Sequence, residues 1–296
     1  MATAFAKTGL SAGKRSKARS LKDTYELSTL QSATGGYSFV RSATNRVTGD
    51  HVVLKFLPKS KNRPHRAGSN GNVNRGGSHH SGGGGVPFEI TVLSDLHHEC
   101  IVELLCYYES ADYFVLVMPQ FGPGRDLFDH ISDVDRLSES DARTVLRQVA
   151  RAIMYLFDRN IIHGDLKDEN IIVDPDTMAI KLIDFGSSRT FVEGEPFISF
   201  VGTQHISSPE VVRRLPYMPV RQELWSMGVL LYIMLTGEYP FVTQEDIADG
   251  VRKGIEEEVK AQVSEEAWDL VDRLLADEPE DQIKREELLQ HPWLKE

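Results

Sequence analysis

Asp165, Lys167, Asn170 and Asp184 are the polar residues that stand out in two otherwise β-branched, apolar stretches, "IIHGDLKDENIIVD" and "KLIDFGSS". A carboxylate such as Asp165 can accept or orient a hydroxyl proton. A lysine two residues on can stabilise a transferring phosphoryl group. A carboxamide and a carboxylate at a strand's end, Asn170 and Asp184, can hold Mg²⁺ against phosphates. Phosphoryl transfer asks a protein for little more than held phosphates, a positioned hydroxyl and neutralised charge. Lys55 in "VVLKFL" extends the set. An unpaired ammonium among apolar neighbours would be costly, so it needs an acidic partner, and Glu89 at the opening of the next helix is the natural one. Each of these residues is a weak signal alone. Their order and spacing together carry the weight.

The elements that must position them alternate in kind. "YELSTL", "YSFVRSAT" and "DHVVLKFL" are β-rich runs broken by turn residues. A Gly-, Ser-, Asn- and His-rich insertion over 59–87 has almost nothing to bury and is expected to be flexible. His79 and His80 within it have no partner at metal-ligand spacing and read as solvated. "PFEITVLSDLHH" has helical spacing, and two strands follow in "VELLCYYES" and "DYFVLVMPQ". From "FGPG" onward the chain reads as helical. A long amphipathic helix begins at an N-cap on Ser138 or Ser140. A helix in "ELWSMGVLLYIMLTG" is apolar nearly all round, and two amphipathic segments, "SEEAWDLVDRLLA" and "KREELLQHPWL", close the chain. The expected organisation is a basic, disordered tail over 1–24, a small β-rich lobe over 25–119 and a larger helical lobe over 120–296.

The 296 residues are 41% apolar, enough for one two-lobed domain. The net charge of −11 hides an asymmetry: residues 1–87 hold 14 basic and 3 acidic residues, the remainder 19 and 41. An acidic face can attract basic peptides, including the chain's own tail. Two cysteines, Cys100 and Cys106, make no disulfide framework and fit a reducing compartment. The longest apolar run, around Val229 to Leu235, is too short to span a bilayer, and no signal-peptide pattern opens the chain. The tail has no apolar stripe beyond Phe5 and Leu10, which argues against a transit peptide. The expectation is a monomer in the cytoplasm, with the nucleus also open to it, that binds neither membrane nor nucleic acid.

In their order and spacing these motifs resemble the eukaryotic protein kinase family, over about Tyr25 to Leu294. "GTQHISSPE" is similar to the family's segment ending Ala-Pro-Glu, "RQELWSMGV" to its buried anchoring helix with Glu223 where Asp is usual, and "HPW" to many calcium/calmodulin-type kinases. "VVLKFLPK", "EITVLSDLHHECIVEL", "GPGRDLF" and "DLKDENIIV" resemble PAS kinase catalytic domains most. The resemblance implies an α+β, bilobal kinase fold and a serine/threonine kinase that uses ATP and Mg²⁺. It implies Asp165 as the catalytic base, Lys167 as charge stabiliser, Thr203 as their contact, and Asn170 and Asp184 as metal ligands. The glycine-rich loop falls on Ala33, Gly35, Ser38 and Val40, with Tyr37 at its tip. Val40 and Val53 roof the adenine, Ile172 floors it, Met118 gates the rear pocket, and Pro119 to Phe121, Gln120 included, form the hinge. Lys55 and Glu89 make the phosphate-orienting pair. Asp126 and Glu169 stand where related kinases hold a basic residue three before the acceptor.

Three departures from the family pattern matter. Only the middle glycine of the loop survives, which weakens nucleotide binding by about 1 kcal/mol. Gly164 takes the place of the Arg that reads a phosphate on the activation segment, so activity independent of such a phosphate is expected. Gln282 stands where many relatives place an Arg for Glu210, which leaves Glu210 in need of a cation if it is buried, a part that the sequence does not assign to Lys284 or to any other residue. Third-party roles remain open as well: a pseudokinase scaffold is one alternative reading. A small-molecule phosphotransferase, suggested by His-Gly-Asp, is another, but that class lacks the lysine at 167 and the "SPE" segment. "KARS" puts Lys17 three before Ser20 and makes Ser20 an autophosphorylation or pseudosubstrate site.

Overall fold

The computed structural model describes residues 20–28, 38–59, 85–255 and 257–295. The tail before Ser20, the loop positions Ala33, Gly35 and Tyr37, and residues 60–84 of the insertion lie outside them. The described residues fall into two units, one of residues up to 97 with 102–121, the other of 98–101 with those from 122 on.

The first unit is a five-stranded antiparallel sheet in the order β1 (Tyr25–Leu27), β2 (Phe39–Asn45), β3 (His51–Pro58), β5 (Tyr113–Pro119), β4 (Cys106–Glu109). The period of two along β3 decides which side chains share a face. Val52 and Leu54 pack with Tyr25, Ala43, Tyr108, Val115 and Val117 in one apolar cluster. Val53 and Lys55 point the other way. The run "VELLCYYES" yields a strand only from Cys106; just ahead of it, Ile101 belongs to the second unit, where it bridges Leu182. Before β1, Ser20 caps the single turn α1 (Leu21–Thr24), and α2 (Phe88–Asp95) carries Glu89 in its first turn.

The second unit is helical. Asp126 caps α3 (Leu127–Val134), and Ser138 caps α4 (Glu139–Phe157). Two small two-stranded antiparallel sheets follow, one of β6 (Ile161–Ile162) with β9 (Arg189–Thr190), the other the hairpin of β7 (Ile171–Asp174) with β8 (Ala179–Leu182). Next come α5 (Pro209–Val212) and α6 (Pro219–Thr236), whose residues from Arg221 to Leu235 are all buried. Helices α7 (Gln244–Asp249), α8 (Glu257–Ala261) and α9 (Glu265–Leu274) lead to the C-terminal segment. "KREELLQHPWL" does not run as one helix. It forms α10 (Arg285–Leu288) and restarts at α11 (Pro292–Lys295), because Pro292 has no N–H to continue the ladder.

One carboxylate ties three of these helices. Glu139 accepts hydrogen bonds from Ser264 N at 2.8 Å, Ser264 Oγ at 2.7 Å and Trp293 Nε1 at 2.8 Å, and pairs with Arg143 at 3.0 Å. Burial works to raise its pKa, but those bonds outweigh it and hold the carboxyl below its usual value. A depressed folded pKa gives stability that is present above the unfolded value of about 4.5 and lost as pH falls through the folded one. Glu139→Ala should cost about 1.5–3 kcal/mol at pH 7 in chemical denaturation. The loss should shrink in the acid range, where the wild type also gives up the ionised carboxylate.

Candidate active site

In the first unit the expected pair is made. Lys55 Nζ lies 2.6 Å from Glu89 Oε1, with side chains 8% and 6% exposed. The helix turn that carries Glu89 thus meets a lysine fixed by its β3 register, opposite Val40 on β2 and Leu116 on β5. Val53 pairs with Met118, which is buried. Gln120 N donates to His51 O at 3.1 Å beyond the end of β5, followed by half-buried Phe121. Ser38 and Val40 are half-buried at the start of β2.

In the second unit the residues of "HGDLKDEN" converge on Asp165. Its Oδ1 accepts Thr203 N at 2.8 Å, and its Oδ2 accepts Asn170 Nδ2 at 3.2 Å. Asn170 Nδ2 also donates to Asp165 O at 2.7 Å, which turns the carboxamide oxygen outward as the end able to ligate a cation. Lys167 Nζ donates to Thr203 Oγ1 at 3.1 Å, lies 3.8 Å from Asp165 Oδ2 and forms a close ion pair with Glu169. Burial acts to lower the Lys167 pKa, but its bond to Glu169 and the charges of Asp165, Glu169 and Asp168 prevail and raise it, so the ammonium persists at neutral pH. The spacing explains the cluster: a 3₁₀ turn over Asp168–Asn170 brings Asn170 back under Asp165.

Asp184 follows β8 in a left-handed conformation, φ 59°, and its Oδ1 accepts Gly186 N at 3.1 Å. Ile183 N donates to Asn170 O at 2.9 Å, which links the two motifs through backbone. A left-handed aspartate carries strain of the kind held at functional sites. The oxygen donors of Asn170 and Asp184 suit Mg²⁺, which takes one or two protein ligands and completes its shell with phosphate and water.

The loop is anchored from below by Glu223 on α6. Its Oε1 accepts His163 N at 3.2 Å and its Oε2 accepts Gly164 N at 3.1 Å. His163 is fully buried against Phe185, with Nε2 2.9 Å from Ile183 O. Gly164 has φ +81°, and a Cβ there would lie 2.5 Å from Ser187 O. Gly202 sits so close that a Cβ on it would meet Gly164 O at 2.5 Å. Two glycines therefore let the chain before Thr203 lie directly on the loop that carries Asp165.

Asp126 and Glu169 each have a local task, the first as cap of α3 through Asp129 N at 2.8 Å, the second as partner of Lys167. They also share a negative patch. Burial first, then the carboxylates of Asp129 and Glu169, push the Asp126 pKa up despite its cap bond. Asp168, only 2% exposed, is pushed up by burial, then by Glu169 and Asp126. Tyr239 is pushed up to about 12 by burial and by Asp168 and Glu169. Sequence reasoning passed over Asp168 and Tyr239; an acid in the middle of "KDEN" was the available signal for the first. Ile172 on β7 bridges Asp126.

Glu210 also differs from expectation. Its partner is neither Gln282 nor Lys284 but Arg221, with Nε 2.6 Å from Glu210 Oε1. Gln282 instead donates to Leu274 O at 2.9 Å and Arg221 O at 3.3 Å. Ser20 Oγ donates to Asp23 Oδ2 at 2.7 Å and accepts Asp23 N, so its hydroxyl is engaged in a capping box.

The description "protein kinase domain" matches residues 33–294. The chain belongs to the protein kinase family. It is 35% identical over 260 residues to the PAS domain-containing serine/threonine-protein kinase of Mus musculus, covering 88% of this chain and 18% of that protein. It is 34% identical to serine/threonine-protein kinase ppk6 of Schizosaccharomyces pombe, covering 88% of this chain and 32% of that one. Death-associated protein kinase 2 of Homo sapiens is 30% identical over 94% of this chain and 73% of its own length. The chain thus spans less than a third of the first two relatives. The family and these relatives agree with the expected α+β fold, a β-rich unit and a helical one, and with the resemblance to calcium/calmodulin-type and PAS kinases.

Burial pushes the Glu223 carboxyl up to about 7, against the opposing hydrogen bonds from Gly164 N and His163 N. A raised acid pKa means the folded state keeps a proton that the unfolded chain has released above about 4.5. Folding stability should therefore fall as pH rises from about 4.5 to 7, by up to about 1.4 kcal/mol per unit. Urea melts of wild type and Glu223→Gln across that range check this: the slope should flatten in the variant, and parallel profiles would exclude the assignment.

Proposed function

We propose that this protein kinase transfers the γ-phosphate of ATP to serine or threonine in protein substrates. The arrangement that carries the reading is Asp165 held between Thr203 N and Asn170 Nδ2, with Lys167 bonded to Thr203 Oγ1. Asp165 orients the acceptor hydroxyl and takes its proton. Lys167 meets charge on the transferring group, and Thr203 couples the peptide-binding segment to both. Asn170 and Asp184 hold Mg²⁺, which draws charge from the phosphates when bound. Lys55, fixed by Glu89, orients the phosphates. Ala33, Gly35, Ser38, Val40, Val53, Met118, Gln120, Phe121 and Ile172 complete the nucleotide contacts. We place the lobes at 25–119 and 120–296 and the protein, as a monomer, in the cytoplasm; among the described residues no helix is long and apolar enough to cross a membrane.

Basic residues upstream of the acceptor fit the negative patch of Asp126 and Glu169, to which Asp168 adds its charge. The same patch suits the basic tail, with Ser20 available once α1 unwinds.

Activity without a phosphate on the activation segment is supported by how that segment is held. Phe197 and Tyr217 exchange two backbone hydrogen bonds, at 2.8 and 3.0 Å. Arg189 donates to Ser199 O at 2.8 Å and lies over the Phe197 ring at 3.9 Å. Tyr217 Oη donates to the same carbonyl at 3.2 Å. No arginine follows His163 to read a phosphate.

Radiolabel transfer to a serine peptide and a Mg·ATP thermal shift, run beside Asp184→Asn, test the kinase reading. Wild type should transfer label and be stabilised. The variant should lose at least about a hundredfold in rate, the scale of several kcal/mol of metal-borne charge stabilisation. Stabilisation of the wild type by Mg·ATP with no transfer would favour a nucleotide-binding scaffold instead. Phosphatase treatment of the purified enzyme should leave peptide phosphorylation within about twofold of the untreated rate, and an erased rate would sink the phosphate-independent reading; the twofold bound corresponds to about 0.4 kcal/mol.

A further inference from the structure

Three residues of α6 hold the backbone between Thr203 and Glu210. Gln222 Oε1 accepts Ser208 N at 2.7 Å, and Gln222 Nε2 donates to Ile206 O at 3.2 Å. Ser226 Oγ donates to the same carbonyl at 3.0 Å. Arg221 makes the charged link. Only 8% exposed, it donates through Nε to Glu210 Oε1 at 2.6 Å and through Nη2 to Ala276 O at 3.2 Å and to Asp277 O. Gln282 in turn braces the Arg221 backbone carbonyl. Arg221 therefore joins the end of the segment that contacts Asp165 to the start of α6 and to the turn after α9.

We propose that Arg221 is the positioning residue that sets the acceptor-binding segment 203–210, in the role the family gives to an arginine at the Gln282 position. This rests on reading that segment as the peptide-binding one. The physical case is that Glu210, half-buried with its side chain 20% exposed, has its cation in Arg221; without it, Glu210 and the chain on either side would shift toward water or another donor. The pair runs through one guanidinium nitrogen: Glu210 Oε2 and Arg221 Nη1 have no hydrogen-bond partner among the described residues. A lysine could keep that single charged contact, whereas a methionine would fill the space and keep none of it. The vacant Oε2 is also an acceptor for an arginine brought in at 282.

The test compares wild type with Arg221→Met, Arg221→Lys and the Arg221→Met/Gln282→Arg pair. Readouts are KM for ATP, KM for a serine peptide, kcat, and amide hydrogen exchange over residues 199–212. Arg221→Met should raise the peptide KM about tenfold, the scale of one charge-assisted hydrogen bond. It should leave the ATP KM unchanged and speed exchange in 199–212. Arg221→Lys should stay within about threefold of wild type, and Gln282→Arg should recover most of the loss, both being fractions of that tenfold effect. A folded Arg221→Met with unchanged peptide KM and exchange would overturn the proposal, as would an equal rise in both KM values. If Arg221→Met does not fold, the pair decides: a folded pair with near-wild-type peptide KM supports it, and an unfolded one overturns it. Faster exchange in an enzyme whose wild type phosphorylates no peptide would overturn the kinase reading and leave the tether standing.

Discussion

A buried carboxylate with two backbone N–H groups to satisfy is a rigid constraint, and the second unit is organised around one. Glu223 lies in the middle of the buried stretch of α6 and takes the amides of His163 and Gly164 on separate oxygens. Leaving those amides or that carboxylate without partners would cost several kcal/mol in a dry interior. The loop must therefore arrive at α6 in one orientation. That orientation turns Gly164 left-handed, buries His163 against Phe185 and points Asp165 at Thr203. The candidate site residues sit on a loop, but the loop inherits the rigidity of the extensively buried α6.

Charge is distributed by the same logic. Lys167 stands among Asp165, Asp168 and Glu169 and remains an ammonium despite its burial. Asp126, Asp168 and Tyr239 are all pushed toward their neutral forms, so each resists further negative charge nearby. A peptide cation arriving there would relieve that repulsion. On the proposed function, electrostatics at this patch works on substrate choice, while the hydrogen bonds around Asp165 work on geometry, and the two share Glu169 and Lys167.

What could be read from the sequence was whatever rests on local spacing. A cap and a helical period give the length of α4 and narrow its N-cap to Ser138 or Ser140, of which the structure takes Ser138. Lys55 and Glu89 were paired by the cost of an isolated ammonium, an argument that needs no coordinates. Asn170 reaches Asp165 because five residues through a 3₁₀ turn leave little choice. Contacts set by tertiary packing were less legible. Arg221 finds Glu210 across the loop between α5 and α6, where attention to position 282 pointed elsewhere. The late start of β4 reflects neighbours rather than propensity. The burial of Asp168 likewise follows from packing and not from local spacing.

Asp165 is the group that the proposed function assigns to preparing a hydroxyl for phosphoryl transfer. Quantitative transfer from Mg·ATP to a serine/threonine peptide array, with the phosphorylated residue identified, tests it in wild type and Asp165→Asn. Asparagine can keep the carbonyl oxygen toward Thr203 N but cannot take a proton. The account predicts phosphoserine or phosphothreonine from wild type and a rate lower by about 10²–10⁴ in the variant, with nucleotide-induced stabilisation retained. Equal rates from the two proteins would contradict it.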